Sequence, residues 1–198
     1  MSAEKKGVPV VLGNVKISYP NLFRKENNPK FPKPEDKRTY SCKLLLHKTK
    51  HAEKIAEITA VLKNLCKENK MPYSDNKYSI FEDMGIVADA DESKENLRDY
   101  FKLSAKSYQR PRVTDKDNNV VIDEELVKAG DIVHAQVKFF AVPKDRPTLL
   151  SCFLDHVKHI RHDDPIITGS LPEDATDKFA MLVDDVVPEL EDSDHIPF

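Results

Sequence analysis

The chain has 198 residues, of which 39% are hydrophobic and 33% are charged, so it can form one domain with an extension or at most two small domains. Its three cysteines, Cys42, Cys66 and Cys152, are far apart and include no C-x-x-C pair, which argues against a disulfide scaffold and a zinc cluster and favours buried thiols in a reducing cytosol. The formal net charge is only −3, the first residues lack the apolar core of a secretory signal, and no run of about 18 apolar residues occurs, so we expect a cytoplasmic protein without a membrane segment.

The first half of the chain predicts two strands and one helix. Residues Val8–Tyr19 read as a strand with a break near Gly13–Asn14, and Thr39–Leu46 reads as a second strand. Thr49 is a candidate cap for a helix over Lys50–Asn69. The apolar residues of this helix recur on one face, which predicts that it packs on a sheet; they are Ile55, Ile58, Leu62, Leu65 and Cys66.

The second half predicts two short strands and two long hairpins. Lys77–Phe81 and Gly85–Ala88 are the short strand candidates. Tyr100–Thr114 predicts a long strand that turns at Asp115–Asn119. The second hairpin joins Asp131–Val142 to Thr148–Ile160.

The order of these elements predicts a mainly β fold. Antiparallel strands with many turns and one helix are typical of an OB-like β-barrel with one inserted amphipathic helix. A β-sandwich with the helix packed on one face is the alternative, and the lack of repeated β-α-β alternation argues against a doubly wound sheet. We assign residues 1–165 to this domain and residues 166–198 to a disordered acidic tail.

Charge is distributed unevenly along the chain. Leu171–Phe198 carries nine acidic residues and one basic residue, a net charge of −8, whereas Met1–Ser170 carries 30 basic and 25 acidic residues, a net charge of +5. A basic body with an acidic end is expected of a protein whose ligand is a polyanion, although a solvated surface with a solubility tail gives the same pattern.

The strand over Tyr100–Arg112 has the residue types of a nucleic-acid surface. One face is apolar and consists of Phe101, Leu103 and Ala105. The other face combines rings with cations and consists of Tyr100, Lys102, Ser104, Lys106, Tyr108 and Arg110. Cations contact phosphates and rings stack on any base, so this face predicts sequence-tolerant binding of single strands, DNA or RNA, unless it is an ordinary exposed strand face.

Other strands and loops extend the predicted binding surface. Lys138 and Phe140 lie opposite the apolar face of their strand, Lys37 and Arg38 precede the second strand, and Lys43 alternates with apolar neighbours. The complete predicted set is Lys37, Arg38, Lys43, Tyr100, Lys102, Lys106, Tyr108, Arg110, Arg112, Lys138 and Phe140.

Neither a metal site nor a catalytic site is predicted. His156, His159 and His162 are three residues apart, which on a strand places neighbours on opposite faces, so only a helical segment would let them share a metal ion. The acidic loop from Asp89 to Glu92 has the residue types of a nuclease site, but no base or second carboxylate motif at a recognisable spacing accompanies it. We therefore expect a non-enzymatic protein without cofactors.

The last ten residues combine acids with an apolar end. They read ELEDSDHIPF, so an apolar triplet follows the acids at the free carboxylate. Such an end suits docking, with Phe198 in an apolar pocket, its carboxylate on a cation, and the acids steering the approach. The predicted docking residues are Glu191, Asp192, Asp194, Ile196, Pro197 and Phe198.

Two resemblances follow from these segments. The end resembles the C-terminal tip of bacterial single-stranded-DNA-binding proteins, with Ser193 and His195 interrupting the usual run of aspartates. The body resembles a family of phage-encoded single-stranded-DNA-binding proteins through GNVKISYPNLF, YFKLSAKSYQRPRV and GDIVHAQVKFFAV. This resemblance implies an OB fold with an acidic tail, cooperative or multi-copy coating of single strands, and tail contacts with replication, recombination or repair proteins.

Three functions fit these observations. The first is a non-enzymatic single-strand binder whose tail recruits partners and competes with DNA. The second is a DNA-processing enzyme, either a nuclease or a strand-annealing recombinase, that uses the acidic loop and cleaves in a metal-dependent way if it is a nuclease. The third is an adaptor whose tail docks a host protein while the body binds no DNA.

Overall fold

The computed structural model describes residues 7–26, 30, 32–73, 80–142 and 149–166. The strands are β1 (Val8–Asn21), β2 (Tyr40–His47), β3 (Phe81–Asp83), β4 (Tyr100–Ser107), β5 (Arg112–Thr114), β6 (Ile132–Val142) and β7 (Leu149–Arg161). The α-helices are α1 (Ala52–Glu68) and α2 (Met84–Ala90), and short 3-10 helices span Glu35–Lys37 and Glu92–Leu97. The predicted tail, 166–198, lies outside the described residues except for Ile166.

The strands form one sheet in the order β3-β4-β2-β1-β6-β7-β5. Neighbours are antiparallel except β5 and β7, which run parallel. A further parallel pairing of β4 with β7, at Lys106 and Phe153, closes the sheet into a ring. Because only one residue pair joins these two strands, the ring is less regular than a full barrel. The predicted mainly β architecture with an inserted helix is confirmed.

Strand β1 bends so that it can pair with β6 first and with β2 afterwards. The register against β6 shifts between Leu12 and Val15, where Asn14 adopts a positive φ of 53°. The Asn14 backbone N–H donates to Nδ1 of His134 at 3.0 Å, which satisfies a donor that the bulge removes from the ladder. The predicted break near Gly13–Asn14 is confirmed.

The apolar faces of the strands fill the ring. The largest of the fully buried side chains are Phe139, Leu12, Ile17, Leu22, Leu44, Leu46, Ile58, Leu103, Leu154, Val15, Val133 and Val137. Helix α1 buries the predicted stripe against this core through Ile58, Leu62, Leu65 and Cys66. The predicted cap at Thr49 is wrong, because the helix begins at Ala52 and the Thr49 hydroxyl hydrogen-bonds Nδ1 of His47 at 2.9 Å.

Two strand predictions are wrong for local reasons. Gly85–Ala88 belongs to α2, because the Asp83 carboxylate accepts the Gly85 N–H at 2.8 Å and caps the helix. The long strand expected over Tyr100–Thr114 is divided into β4 and β5. Between them the Ser107 hydroxyl accepts the Gln109 N–H at 3.1 Å, and Pro111 has no N–H to contribute to a ladder. Most of the candidate Lys77–Phe81 lies outside the described residues.

The cysteines are buried, as their spacing suggested. Burial raises the pKa of the Cys42 thiol to about 12 and raises the pKa of the Cys152 thiol well above its ordinary value. These thiols are therefore protonated and unreactive at neutral pH. Among the described helices, none has both the length and the apolar character needed to cross a membrane.

Candidate nucleic-acid interface

Three adjacent strands present lysines on the outer face of the ring. Strand β2 lies between β1 and β4, and the outward residues of all three line up in rungs across the sheet. The rungs are Asn21–Ser41–Lys106, Ser18–Lys43–Ser104 and Lys16–Leu45–Lys102. Successive outward residues of one strand are about 7 Å apart and neighbouring strands about 5 Å apart. Four lysine side chains are thus spread over a small, continuous surface.

A groove of about 550 Å³ runs over this surface. Five lysines and two glutamates line it, together with hydroxyls, amides and two tyrosine rings. The charged lining residues are Lys33, Lys37, Lys43, Lys102, Lys106, Glu26 and Glu82. The rings belong to Tyr19 and Tyr108, which are 70% and 63% exposed. Exposed rings beside cations supply both contacts that a single strand offers, its bases and its phosphates.

Tyr19 lines the groove, although the alternation of side chains along β1 would place it in the core. By parity it shares a face with buried Ile17, but the register against β2 shifts between Ser18 and Asn21. Tyr19 itself has a positive φ of 49°, which turns its ring outward. The sequence signal for this irregularity is Pro20, which restricts the residue before it.

The structure brings five of the predicted binding residues together in the groove. They are Lys37, Lys43, Lys102, Lys106 and Tyr108. Tyr100 lines a neighbouring depression with His47, Lys50 and His51. The alternation predicted for this strand holds across β4, where Leu103 and Ala105 are buried and Lys106 is exposed.

The other predicted residues lie beside the groove or on other strands. Arg110 places its guanidinium 5.1 Å from the ring centroid of Phe23, and the Arg38 Nε donates to a backbone carbonyl. Arg112 lies on β5, opposite His156 of β7. On β6, Lys138 pairs with Asp155 at 2.7 Å, and Phe140 meets Phe153 edge to face at 6.4 Å. In the part of the chain that the structure describes, these five residues do not line the groove.

Polar side chains of the groove hold two of its lysines in place. Lys102 Nζ lies 2.5 Å from a carboxylate oxygen of Glu82, which is its partner on β3. Lys43 Nζ donates to the Ser104 hydroxyl at 2.9 Å, and Glu26 accepts from the Ser41 hydroxyl at 3.0 Å. A phosphate that enters the groove would compete with Glu82 for Lys102. Glu82 therefore lowers the affinity of the groove for anions.

Lys43 is electrostatically unlike the other groove cations. Burial of its side chain lowers the pKa of its ammonium, the positive charge of Lys102 lowers it further, and the negative charges of Glu26 and Glu82 partly oppose both effects. A phosphate oxygen beside this ammonium would favour its charged form. A bound phosphate would therefore raise the lowered pKa of Lys43.

The chain leaves the ring next to this surface. Lys16 Nζ lies 3.3 Å from the Asp163 carboxylate and donates to the Asp164 carbonyl at 2.6 Å. Ile166 packs on the small cluster of Leu45, Met84 and Leu97, and it lines a cavity of about 220 Å³ with Lys16, Lys43 and Lys102. The backbone around Pro165 lies directly against Gly130. Only glycine fits at position 130, because a Cβ there would lie 2.4 Å from the Pro165 nitrogen. Ile166, the last described residue, thus lies beside two of the groove lysines, Lys43 and Lys102.

Comparison with known proteins decides the family of this chain. The profile of a family described as the ssDNA-binding protein of Enterobacter phage Enc34 matches residues 8–189. The chain belongs to this family. A comparison with curated protein sequences found no match.

Solved structures of the Enc34 protein share the fold. The single-stranded DNA-binding protein from bacteriophage Enc34 has a TM-score of 0.66 at 18% identity, covering 90% of this chain and 97% of that chain. The same protein in complex with ssDNA has a TM-score of 0.66 at 20% identity, covering 82% and 99%. Its C-terminal truncation has a TM-score of 0.64 at 20% identity, covering 83% and 99%. The predicted resemblance to phage-encoded single-stranded-DNA-binding proteins and the predicted OB-like architecture are confirmed.

In this member of the Enc34 family, the acidic loop has local structural contacts. Asp89 pairs with Arg98 at 2.8 Å, and Asp91 caps the following 3-10 helix by accepting the Ser93 N–H at 3.1 Å. Glu95 holds the same Arg98 at 2.6 Å. Two acidic residues of the loop, Asp89 and Asp91, thus have local structural partners.

The prediction that the three histidines cannot converge is wrong for two of them. Strand β7 has a register shift between His159 and Arg161, and it ends at Arg161, so alternation does not govern His162. The rings of His159 and His162 lie 4.7 Å apart, and both contact Asp131. His156 lies apart from them and contacts the Thr114 hydroxyl at 3.0 Å.

Proposed function

We propose that this protein binds single-stranded DNA without sequence preference, along the groove across β1, β2 and β4, and that it carries out no catalysis. The observation that carries the proposal is the groove itself, in which lysines of β2 and β4 alternate with hydroxyls beside the exposed rings of Tyr19 and Tyr108. Lysines contact the phosphates that every strand has, and rings stack on any base. Membership of the Enc34 family and the complex of the Enc34 protein with ssDNA support the same ligand.

The proposal extends to the setting and to the tail. The domain of residues 1–165 would coat and protect strands during phage replication, recombination or repair in the cytoplasm of an infected bacterium, in several copies along the DNA. The tail of residues 166–198 would recruit partner proteins through its Ile-Pro-Phe end. It would also compete with DNA, because it leaves the body among Lys16, Lys43 and Lys102.

Fluorescence anisotropy with labelled dT oligonucleotides at several salt concentrations tests the proposal. The four lysines of the rungs predict that log affinity falls linearly with log salt with a slope of about 3, from about 0.7 for each phosphate contact. Duplex DNA and RNA of matched length measure the preference for single strands and for deoxyribose. An unchanged anisotropy at low salt would exclude the proposal and favour the adaptor function.

As pH rises, DNA binding is expected to weaken at a lower pH than the ordinary pKa of lysine would give. The pKa of Lys43 is lowered, so its ammonium loses its proton first as pH rises, and only the charged form attracts phosphate. Affinity should therefore begin to fall in the wild type at a pH below the ordinary titration range of lysine, which lies at about 10.4. The Lys43→Arg variant keeps its charge over this range, so its affinity should stay nearly constant there. Parallel pH profiles of the two proteins would contradict this role of Lys43.

Removal of Glu189–Phe198 is expected to tighten DNA binding by about 3- to 10-fold at low salt, with the gain lost at high salt. If the 32 residues after residue 166 form the flexible coil that the sequence predicts, their reach is about 30 Å, which is enough to return to the groove. The matched control is Ile196→Ala with Phe198→Ala, which keeps every acid and should leave DNA affinity unchanged. Equal affinity of the truncated and full-length proteins at low salt would show that the tail does not compete.

A further inference from the structure

We propose that Asp131, His159 and His162 form a binding site for a divalent transition metal ion such as Zn²⁺. Nε2 of His159 lies 3.1 Å from Oδ2 of Asp131, and Nδ1 of His162 lies 3.1 Å from Oδ1 of Asp131. One ligand atom from each residue lies within 4.8 Å of the others. In tetrahedral zinc sites with bonds of about 2.0–2.1 Å, ligand atoms are about 3.3 Å apart, so the spacing of the carboxylate from each imidazole nitrogen is already near the required value.

The charge of Asp131 favours a cation at this position. Its side chain is only 2% exposed, and a buried carboxylate is costly unless a positive partner compensates it. Among the described residues, no Lys or Arg pairs with Asp131, and its side-chain partners are the two imidazoles. A neutral imidazole has one lone pair to offer, and two imidazoles with one carboxylate match the ligand preferences of Zn²⁺ and its neighbours in the first transition row.

Backbone contacts hold the carboxylate in position. The Lys128 N–H donates to Oδ2 at 2.8 Å, and the Asp163 N–H lies 3.4 Å from Oδ1. Next to Asp131, the Gly130 N–H donates to the Ile17 carbonyl at 2.7 Å, which fixes this turn to β1. Ligands that are oriented in advance in this way lose little entropy when an ion binds.

The site is buried on one side and open on the other. His159 lies at the end of β7 with its side chain 9% exposed, whereas the His162 side chain is 61% exposed. The exposed ring gives an ion a path from solvent, and three protein ligands leave a fourth position for water. A bound ion would tie the segment after β7 to the start of β6, which joins the two ends of this long hairpin.

Thermal unfolding of the untagged full-length protein tests the site without any use of DNA, so its result is independent of the proposed function. After treatment with a chelator, Zn²⁺ at about 100 times its dissociation constant should raise the Tm by about 5–10 °C, and excess Mg²⁺ should not. Co²⁺ should bind with a stoichiometry near one per chain and give the visible absorption of a four-coordinate site.

The variants separate a metal site from a cluster of hydrogen bonds. His162→Ala is exposed enough to fold and should lose most of the Zn²⁺ shift and the Co²⁺ band, as should His159→Ala. The control His195→Ala removes a histidine from the tail and should keep both signals. If Zn²⁺ gives no shift in the wild type, or if His162→Ala responds as the wild type does, the cluster is only hydrogen-bonded and the proposal is wrong.

Discussion

Replacing Lys102 and Lys106 together by alanine is expected to weaken binding of a dT oligonucleotide by about 10- to 100-fold at low salt. The two side chains lie on separate rungs of β4, each opposite a residue of β2, so they would contact different phosphates. The slope of log affinity against log salt should fall by about 1.4, because two phosphate contacts are lost at about 0.7 each.

Two further variants identify the cause of this loss. Lys54→Ala with Lys67→Ala removes the same charge from the surface of α1, and it should change affinity little, because those lysines lie away from the groove. Glu82→Gln frees Lys102 from its 2.5 Å ion pair and should tighten binding. Equal losses in the β4 and α1 double variants would show that net charge, rather than the groove, determines affinity.

Tyr108→Ala is expected to weaken binding by about 5- to 150-fold, which corresponds to the 1–3 kcal/mol that stacking on one base contributes. The ring lines the groove and is 63% exposed, so its removal creates no cavity, and the Tm should stay nearly unchanged. Because stacking releases no counterions, the salt slope should also stay unchanged, unlike in the lysine variants.

Tyr108→Phe is the matched control for the stacking prediction. It keeps the ring and removes only the hydroxyl, so DNA affinity should be retained. Tyr19→Phe is the corresponding control for the second groove ring, which lies at a residue with positive φ, and it should also retain DNA affinity. A Tm loss of several degrees in Tyr108→Ala would show that the ring packs in the body, and an altered salt slope would show that it acts through a charged neighbour.

The parts of the groove that could be predicted from sequence are those on regular strands. Along β4 the alternation of Leu103 and Ala105 with Lys102 and Lys106 continues without interruption, because β2 pairs with every one of its residues. The apolar stripe of α1 could also be predicted from the sequence, because its residues all face one core. Regular pairing and a single buried face are what make residue periodicity informative.

The parts that could not be predicted depend on irregular backbone or on distant partners. Tyr19 is turned into the groove by a register shift, and Gly85 is drawn into a helix by the Asp83 cap. The contact of His162 with Asp131 joins residues 31 positions apart beyond the end of β7. Lys138 has the right parity for an outer face, but parity does not say which part of the ring that face lies on.

The central claim is that a single strand lies across β1, β2 and β4. Acetylation of lysines with and without saturating dT oligonucleotide, read by mass spectrometry, tests it directly. DNA should protect Lys16, Lys43, Lys102 and Lys106 and leave Lys54 and Lys67 on α1 as reactive as before. Protection of Lys138 on β6 with no protection of these four lysines of the rungs would contradict the account.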